Sequence, residues 1–318
     1  MFKRFIQGVF LIFSIILVFS VFWQGLQWFS ENLENFFQLN KAAILPEPSF
    51  EDLPPPKTDF PQKNPEAPIL NINALSAISV YTDIENPDKV LFEKNIDQKM
   101  AIASLTKLMT AAIVLENFDL SQDVKISKIA AQQDARNLLK AGKIFLAKDL
   151  LYEMLINSDN SAAYAFAETI GQDDFIKAMN LKANELGMED TYFSGPMGLA
   201  NKNYSTVQDF ALLAKYLIKE NSQIMKITQM PEFDLHDAEG NFYYKAINLN
   251  GLLKDAELKE RIVLGKTGET KEAGQCLLVV LRAPAGEGYL INVVLGAEDR
   301  LLETKNIIDW DDKAFLWK

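Results

Sequence analysis

The chain has 318 residues, of which 48% are hydrophobic and 24% charged, and its formal net charge at pH 7 is −11. This composition is typical of globular protein, and the length allows one large domain or two modest ones. The acidic balance argues against nucleic acid as a partner, because binding phosphates requires a basic face.

An uncharged, apolar run from residue 5 to 29 opens the chain, after Lys3 and Arg4. It is long enough to cross the hydrocarbon core of about 30 Å as a helix, and its basic flank should stay in the cytoplasm. We therefore predict a cytoplasmic segment at 1–4 and a transmembrane signal anchor at 5–29. The chain would cross the cytoplasmic (inner) membrane once and expose the rest outside. A cleaved signal peptide is the alternative, but no small-x-small cleavage site follows the run.

Residues 30–68 are predicted to form a juxtamembrane, proline-rich linker, because eight of the twelve prolines lie between Pro46 and Pro68. Such a stretch packs poorly and behaves as a semi-rigid spacer. It would hold the predicted catalytic domain, residues 69–318, away from the bilayer.

The domain that follows has strands at both ends and helices between them. The patterns predict strands at 74–81 and 89–93, then helices from residue 105 and at 147–157, 159–170, 173–187 and 206–220, then strands at 261–266, 275–282 and 289–295, and a final helix at 301–316. This order suggests an α/β chain of the α+β type, with one mixed sheet covered by helices and a helical lobe inserted.

Three short strings carry reactive side chains, and the first is Ser104-Leu-Thr-Lys107. A serine hydroxyl needs a base in contact with it to act as a nucleophile, and residues three apart share one face of a helix. Lys107 can be that base only if burial or a nearby cation lowers its pKa, and Lys266 is the candidate cation. The alternative is that Ser104 is a helix N-cap and Lys107 a solvated helix residue.

The second string, Ser158-Asp-Asn160, falls between two predicted helices. The Ser158 hydroxyl could pass a proton between Lys107 and a leaving amine, and Asn160 could bind a substrate amide. The alternative is a helix N-cap.

The third string, Lys266-Thr-Gly268, is predicted to close a strand. Lys266 and Thr267 could hold a terminal carboxylate, and Gly268 would let the backbone approach a ligand closely. The N–H groups of Ser104 and Glu269 could then form an oxyanion hole. A hairpin turn is the alternative reading of this string.

The three strings match the penicillin-recognising serine acyltransferases in identity and order. Longer strings resemble the D-alanyl-D-alanine carboxypeptidases of peptidase family S11, which are low-molecular-mass penicillin-binding proteins. These strings are residues 103–111, 191–199, 204–211, 248–253 and 265–276. The resemblance implies a serine β-lactamase/transpeptidase-like fold, with an antiparallel sheet flanked by helices and an inserted helical lobe. It also implies peptidoglycan pentapeptides as substrate, β-lactams as covalent inhibitors, and no cofactor.

The resemblance further implies that Ser104 is the acylated nucleophile and Lys107 its base. Ser158 would be a third catalytic residue, and the substrate would be bound by Asn160, Lys266, Thr267, Gly268 and Glu269. Arg300 resembles the arginine that supports the carboxylate pocket of the family. A metal is not expected, because His236 is the only histidine and no ligand cluster accompanies it.

Glu269 departs from the family pattern, in which an aromatic residue or histidine often follows the third string. Its carboxylate would repel a substrate carboxylate, so either it points away or the substrate preference differs. Three other functions stay open at this point. A class A β-lactamase is disfavoured, because no Glu-x-x-Leu-Asn string lies between Asn160 and Lys266. A D,D-endopeptidase of peptidoglycan crosslinks and a non-catalytic penicillin- or peptidoglycan-binding sensor are the others.

Overall fold

A computed structural model describes residues 60–199, 202–284 and 286–317. The strands within them are β1 (Gln62–Lys63), β2 (Ser76–Thr82), β3 (Lys89–Lys94), β4 (Met100–Ala101), β5 (Asp123–Lys125), β6 (Ile144–Leu146), β7 (Tyr204–Ser205), β8 (Glu232–His236), β9 (Phe242–Ile247), β10 (Ile262–Thr270), β11 (Gly274–Arg282), β12 (Tyr289–Ala297) and β13 (Phe315–Leu316). The α-helices are α1 (Thr106–Asn117), α2 (Lys128–Ala131), α3 (Ala147–Ile156), α4 (Asn160–Ile170), α5 (Gln172–Glu185), α6 (Val207–Glu220), α7 (Ser222–Thr228) and α8 (Arg300–Ala314). Two 3₁₀ turns span Ala103–Leu105 and Gly251–Lys254.

Five strands form the central sheet, in the order β10-β11-β12-β2-β3. Every neighbouring pair is antiparallel. The order of elements alone had suggested a mixed sheet, and that prediction was wrong. The sheet is antiparallel, as the family resemblance implied. Because β12 pairs with β2, the two ends of the domain meet in the middle of the sheet, and β10 is left at an edge.

Successive side chains of each strand point to opposite faces of the sheet, so apolar residues lie on both faces. Helices cover both. On one face, Ile78 and Val293 belong to the large core shared with the helical lobe, and α6 packs on β2 and β12. On the other face, Ala77 and Val294 pack with Ile307 of α8. The sheet is thus the middle layer between the lobe and the last helix.

Helix α1 lies at the centre of the lobe, where α3, α4 and α5 contact it. Its residues from Thr106 to Val114 are all buried. A helix buried on all sides is fixed in place by packing, so the side chains at its start are held rigidly. The first string lies at that start.

The compact unit begins at Phe60, before the boundary predicted at residue 69. Strand β1 pairs with β13, and Trp310 Nε1 donates to the Pro68 carbonyl over 2.7 Å, so the end of the proline-rich segment packs on the domain. Among the described residues, none of the helices combines the length and apolarity needed to cross a bilayer. The predicted anchor at 5–29 and linker residues 30–59 lie outside them.

Candidate active site

Ser104 lies in the 3₁₀ turn Ala103–Leu105, which runs directly into α1, and its side chain makes no capping hydrogen bond. Two glycines pack against this turn. A Cβ built on Gly198 would lie 1.9 Å from the Ala103 carbonyl oxygen, and one on Gly268 would lie 3.1 Å from Ser104 N. Gly198 therefore requires a residue without a side chain, and the space at Gly268 is tight. Because its side chain makes no capping hydrogen bond, Ser104 is not the N-cap of the alternative reading.

Lys107 is fully buried, with its Nζ 2.9 Å from Ser104 Oγ, 2.7 Å from Asn160 Oδ1 and 3.0 Å from the Met197 carbonyl oxygen. The amide and carbonyl oxygens can only accept hydrogen bonds. A neutral amine therefore gives its two N–H groups to them, and its lone pair remains for the Ser104 hydroxyl. This arrangement places a general base on the nucleophile.

The pKa of Lys107 is lowered to about 7, mainly by burial; the charges of Asp159 and Asp134 oppose this shift, and the Arg136 guanidinium adds to it. The sequence had suggested Lys266 as the responsible cation. The main cause is instead loss of solvation, because a buried ammonium is costly. A substantial fraction of Lys107 is thus free amine at neutral pH.

Ser158 lies in the turn between α3 and α4, as predicted, with φ of +59°. That left-handed conformation is uncommon for a residue with a side chain and is found at sites held by their surroundings. The N-cap of α4 is Asp159, whose side chain accepts from Ala162 N over 2.8 Å. Ser158 Oγ accepts from Lys266 Nζ over 2.9 Å, so it is joined to Lys266 and not, as expected, to Lys107.

The third string lies inside β10, which continues to Thr270. The prediction that it closes a strand was therefore wrong, as was the alternative of a hairpin turn. Lys266 is 2% exposed, and burial holds its pKa well below the usual value, with Lys107 and Arg300 adding to the effect. Because β10 is an edge strand, its backbone is available to pair with an extended peptide. Thr267 is buried beside Lys266.

Arg300 is the first residue of α8, and its side chain turns back to the third string. Its Nη1 donates to the Gly268 carbonyl over 3.0 Å and to Glu269 Oε2 over 3.1 Å. Glu269 therefore does not point away from the site, which was one of the two alternatives. It forms an ion pair with the arginine expected to support a carboxylate.

Arg136 and Asp134 are site residues that the sequence did not reveal. Arg136 holds both oxygens of Asp134, over 2.9 and 2.8 Å, and its Nη1 donates to both oxygens of Asn157. Asp134 Oδ2 accepts from Asn160 N over 3.0 Å. These contacts tie the segment after α2 to the Ser158 turn. No spacing or motif marks them, because the partners meet only in the folded chain.

A buried acid, Glu153, lies behind the Ser158 turn. It accepts hydrogen bonds from Asn157 Nδ2 and from the Tyr244 hydroxyl, and burial raises its pKa to about 7. Its side chain is fully buried, and its hydrogen bonds go to these two residues and not to Ser104 or Lys107.

Residues 61–299 match the model of the S11 peptidases, described as D-alanyl-D-alanine carboxypeptidase. The chain belongs to this family. It is 34% identical over 249 residues to a D-alanyl-D-alanine carboxypeptidase of Bacillus subtilis, covering 74% of this chain and 61% of that protein. It is 33% identical over 251 residues to a D-alanyl-D-alanine endopeptidase of Pseudomonas aeruginosa, covering 77% and 76%. The chain thus spans about three fifths of the first S11 relative and three quarters of the second.

Solved structures share the S11 fold seen here. Penicillin-binding protein D2 of Listeria monocytogenes, in its ampicillin-bound form, superposes with a TM-score of 0.64 at 29% identity, covering 76% of this chain and 99% of that one. The DD-transpeptidase of Streptomyces K15 superposes with a TM-score of 0.68 at 27% identity, covering 76% and 97%. These matches confirm the predicted fold class.

Proposed function

We propose that this chain is a serine-type D-Ala-D-Ala carboxypeptidase, which removes the terminal D-alanine of peptidoglycan stem peptides through an acyl-enzyme on Ser104. The observation that carries the proposal is the setting of Lys107. Its amine is buried, has a pKa of about 7, and lies 2.9 Å from Ser104 Oγ. Membership of the S11 family supports the same reaction.

In the acylation step, Ser104 Oγ attacks the carbonyl carbon of the penultimate D-alanine and gives its proton to Lys107 Nζ. Charge develops on the carbonyl oxygen, where the N–H groups of Ser104 and Glu269 would stabilise it. The C–N bond then breaks, and the proton that Lys107 took passes to the amine of the last D-alanine as it leaves, which returns Lys107 to the neutral form. The Ser158 hydroxyl, which accepts a hydrogen bond from Lys266 Nζ, would relay this proton by giving its own to the amine and taking that of Lys107.

In the second step, water attacks the ester carbonyl and Lys107 takes its proton. The C–O bond to Ser104 breaks, the serine recovers its proton, and the shortened peptide leaves as a carboxylic acid. A β-lactam would acylate Ser104 by the same route. Its ester should persist, because no Glu-x-x-Leu-Asn string lies between Asn160 and Lys266 and the hydrogen bonds of Glu153 go to Asn157 and Tyr244.

D,D-endopeptidase action on crosslinks is the second candidate, because the Pseudomonas relative carries that activity in its name. Both reactions cleave after D-alanine and use the same nucleophile and base. They differ in what lies beyond the scissile bond, a single D-alanine or a second stem peptide.

The test is mass spectrometry of products from purified muropeptides. A carboxypeptidase shortens pentapeptides by one alanine, and an endopeptidase converts crosslinked dimers to monomers. Ser104→Ala should abolish both product release and labelling by fluorescent penicillin, whereas Ser121→Ala, at an exposed serine, should change neither. Product release that survives Ser104→Ala would refute the acyl-enzyme on this residue. Penicillin labelling without any product would favour the sensor.

We also propose that residues 5–29 anchor the enzyme in the cytoplasmic membrane, with the catalytic domain outside. The uncharged apolar run and its basic flank support this. The full chain should remain with membranes after alkaline carbonate extraction, and its intact mass should include the N-terminal residues. A mature protein that begins after this run would show cleavage instead.

A further inference from the structure

Glu269 and Arg300 form an ion pair beside the third string. Arg300 Nη1 donates to the Gly268 carbonyl and to Glu269 Oε2, so the guanidinium is held by two consecutive residues of β10. The Arg300 side chain is 16% exposed, whereas that of Glu269 is 59% exposed. The arginine is therefore anchored, and the glutamate can leave it for solvent.

Arg300 is the cation best suited to bind a substrate carboxylate here. Burial lowers the pKa of both Lys107 and Lys266, which favours their neutral forms. A guanidinium stays protonated in all ordinary conditions. Arg300 is also hydrogen-bonded to Gly268, whose backbone packs against Ser104 N. We therefore expect a carboxylate just beyond the scissile bond to lie near Arg300.

We propose that Glu269 is an internal counterion that competes with the substrate carboxylate for Arg300. A peptide whose terminal D-alanine has a free carboxylate then meets the neutralised Glu269–Arg300 ion pair and not an unpaired Arg300 guanidinium. Peptides that carry no free carboxylate just beyond the scissile bond, such as those with a C-terminal amide, lose nothing by comparison. This inference rests on the proposed acyl transfer at Ser104 and assigns the substrate class that the site tolerates.

The exposure of Glu269 sets the size of the effect. An ion pair with one well-solvated partner is weak, so a substrate can displace it at moderate cost. We expect the competition to change affinity about fivefold, which is what such a pair supports. The change should appear in KM and not in kcat, because the Glu269 carboxylate bonds Arg300, while the Glu269 group proposed for the oxyanion hole is its backbone N–H, which the variant keeps.

The experiment compares the full chain on two short peptides, one ending in D-Ala-D-Ala with a free carboxylate and the other with a C-terminal amide. Glu269→Gln should raise kcat/KM on the free acid about fivefold by lowering KM, and leave the amide unchanged. Glu272→Gln removes an exposed carboxylate from the following turn and should change neither. An unchanged acid-to-amide ratio in Glu269→Gln, or an equal change in Glu272→Gln, overturns the inference.

Two further measurements separate this inference from the proposed function. If the wild-type chain cleaves neither peptide, the proposed function fails, and the counterion is then tested by calorimetric binding to Ser104→Ala with and without Glu269→Gln. Only the free acid should bind more tightly in the double variant. In a variant that already carries Arg300→Gln, adding Glu269→Gln should not change kcat/KM or affinity for the free acid. A full effect there would mean direct repulsion of the substrate and would refute competition for Arg300.

Discussion

Ionisable side chains are buried on both sides of the central sheet, but their surroundings differ. On the lobe side, Lys107 Nζ has Asn160 Oδ1, the Met197 carbonyl oxygen and Ser104 Oγ within 3.0 Å. On the side of α8, Asp311 accepts one hydrogen bond, from Ser79 Oγ over 2.6 Å. Within the described part of the chain, its Oδ1 has no partner, nor do the amide atoms of Asn292 on the neighbouring strand.

Burial favours the neutral form of both groups. It lowers the pKa of Lys107 to about 7 and raises that of Asp311 to about 8. The difference is in access. Ser104, the hydrogen-bond partner of Lys107, is only half-buried, whereas Asp311 is fully buried. A neutralised buried group thus becomes a catalyst only where its lone pair meets a reactive atom that substrate can reach.

The strongest test of this contrast is Lys107→Met. It should lower kcat/KM for D-alanine release on the order of 10³-fold, since general-base catalysis supplies effects of this size. Stability to urea should stay equal or rise, because the cost of burying an amine is removed. Lys177→Met, at an exposed lysine of α5, is the control. Activity within tenfold of wild type would mean that another group is the base.

The glycine against the nucleophile turn offers a second test. Gly198→Ala combines a positive φ with a Cβ 1.9 Å from the Ala103 carbonyl oxygen, whereas Gly142→Ala has a positive φ and open space. We expect Gly142→Ala to cost about 1 kcal/mol of unfolding free energy and Gly198→Ala more than ~3 kcal/mol. Penicillin labelling should fall only in Gly198→Ala. Equal urea midpoints for the two variants would show that the turn moves freely.

Much of the fold follows from periodicity. Helices α3, α4 and α6 begin and end within one residue of their predicted bounds, because their apolar faces and caps are local signals. The third string was misplaced because a strand that contains Lys, Thr and Gly has no local pattern to extend it. Its position in β10 depends on pairing with β11.

Contacts in the candidate active site could be predicted from the sequence where the two residues lie within one helical turn. Contacts between residues that are distant in the sequence could not. Ser104 and Lys107 are three residues apart, so their contact follows from helix geometry. The partner of Ser158 could not be deduced, because Lys266 lies 108 residues away. Arg136 gave no signal at all, because its role depends on where α2 and the following segment pack.

Asp311→Asn tests the α8 side of the contrast through stability. Because the folded pKa is raised to about 8, the folded state keeps a proton that the unfolded state releases above its ordinary acid pKa. The wild-type chain should therefore lose stability as pH rises from about 4 to 8, by at most ~1.4 kcal/mol per unit.

Asn carries no such proton, so the unfolding free energy of Asp311→Asn should vary less with pH, as urea titrations at pH 5, 7 and 8.5 would show. Its kcat/KM should match wild type at each pH. A pH dependence equal to that of wild type would mean that Asp311 is ionised in the folded state.

Arg136→Gln should produce the smallest and most specific change. The Arg136 charge lowers the pKa of Lys107, whereas Asp134 and Asp159 raise it. Removing the cation leaves both carboxylates uncompensated, so the lysine should hold its proton to higher pH. Because free amine is the active form, kcat/KM falls about tenfold per unit below that pKa. The low-pH limb of the plot of kcat/KM against pH, called the acid limb below, should therefore move to higher pH. The shift from near pH 7 should be less than about one unit.

Arg282→Gln, at an exposed arginine at the end of β11, should leave the acid limb in place. A purely structural role for Arg136 would lower kcat/KM at every pH without moving the limb. A shift toward lower pH would show that the carboxylates do not act on Lys107. An upward shift would mean that the segment after α2 sets the pH at which the nucleophile becomes active, although it touches neither Ser104 nor Lys107.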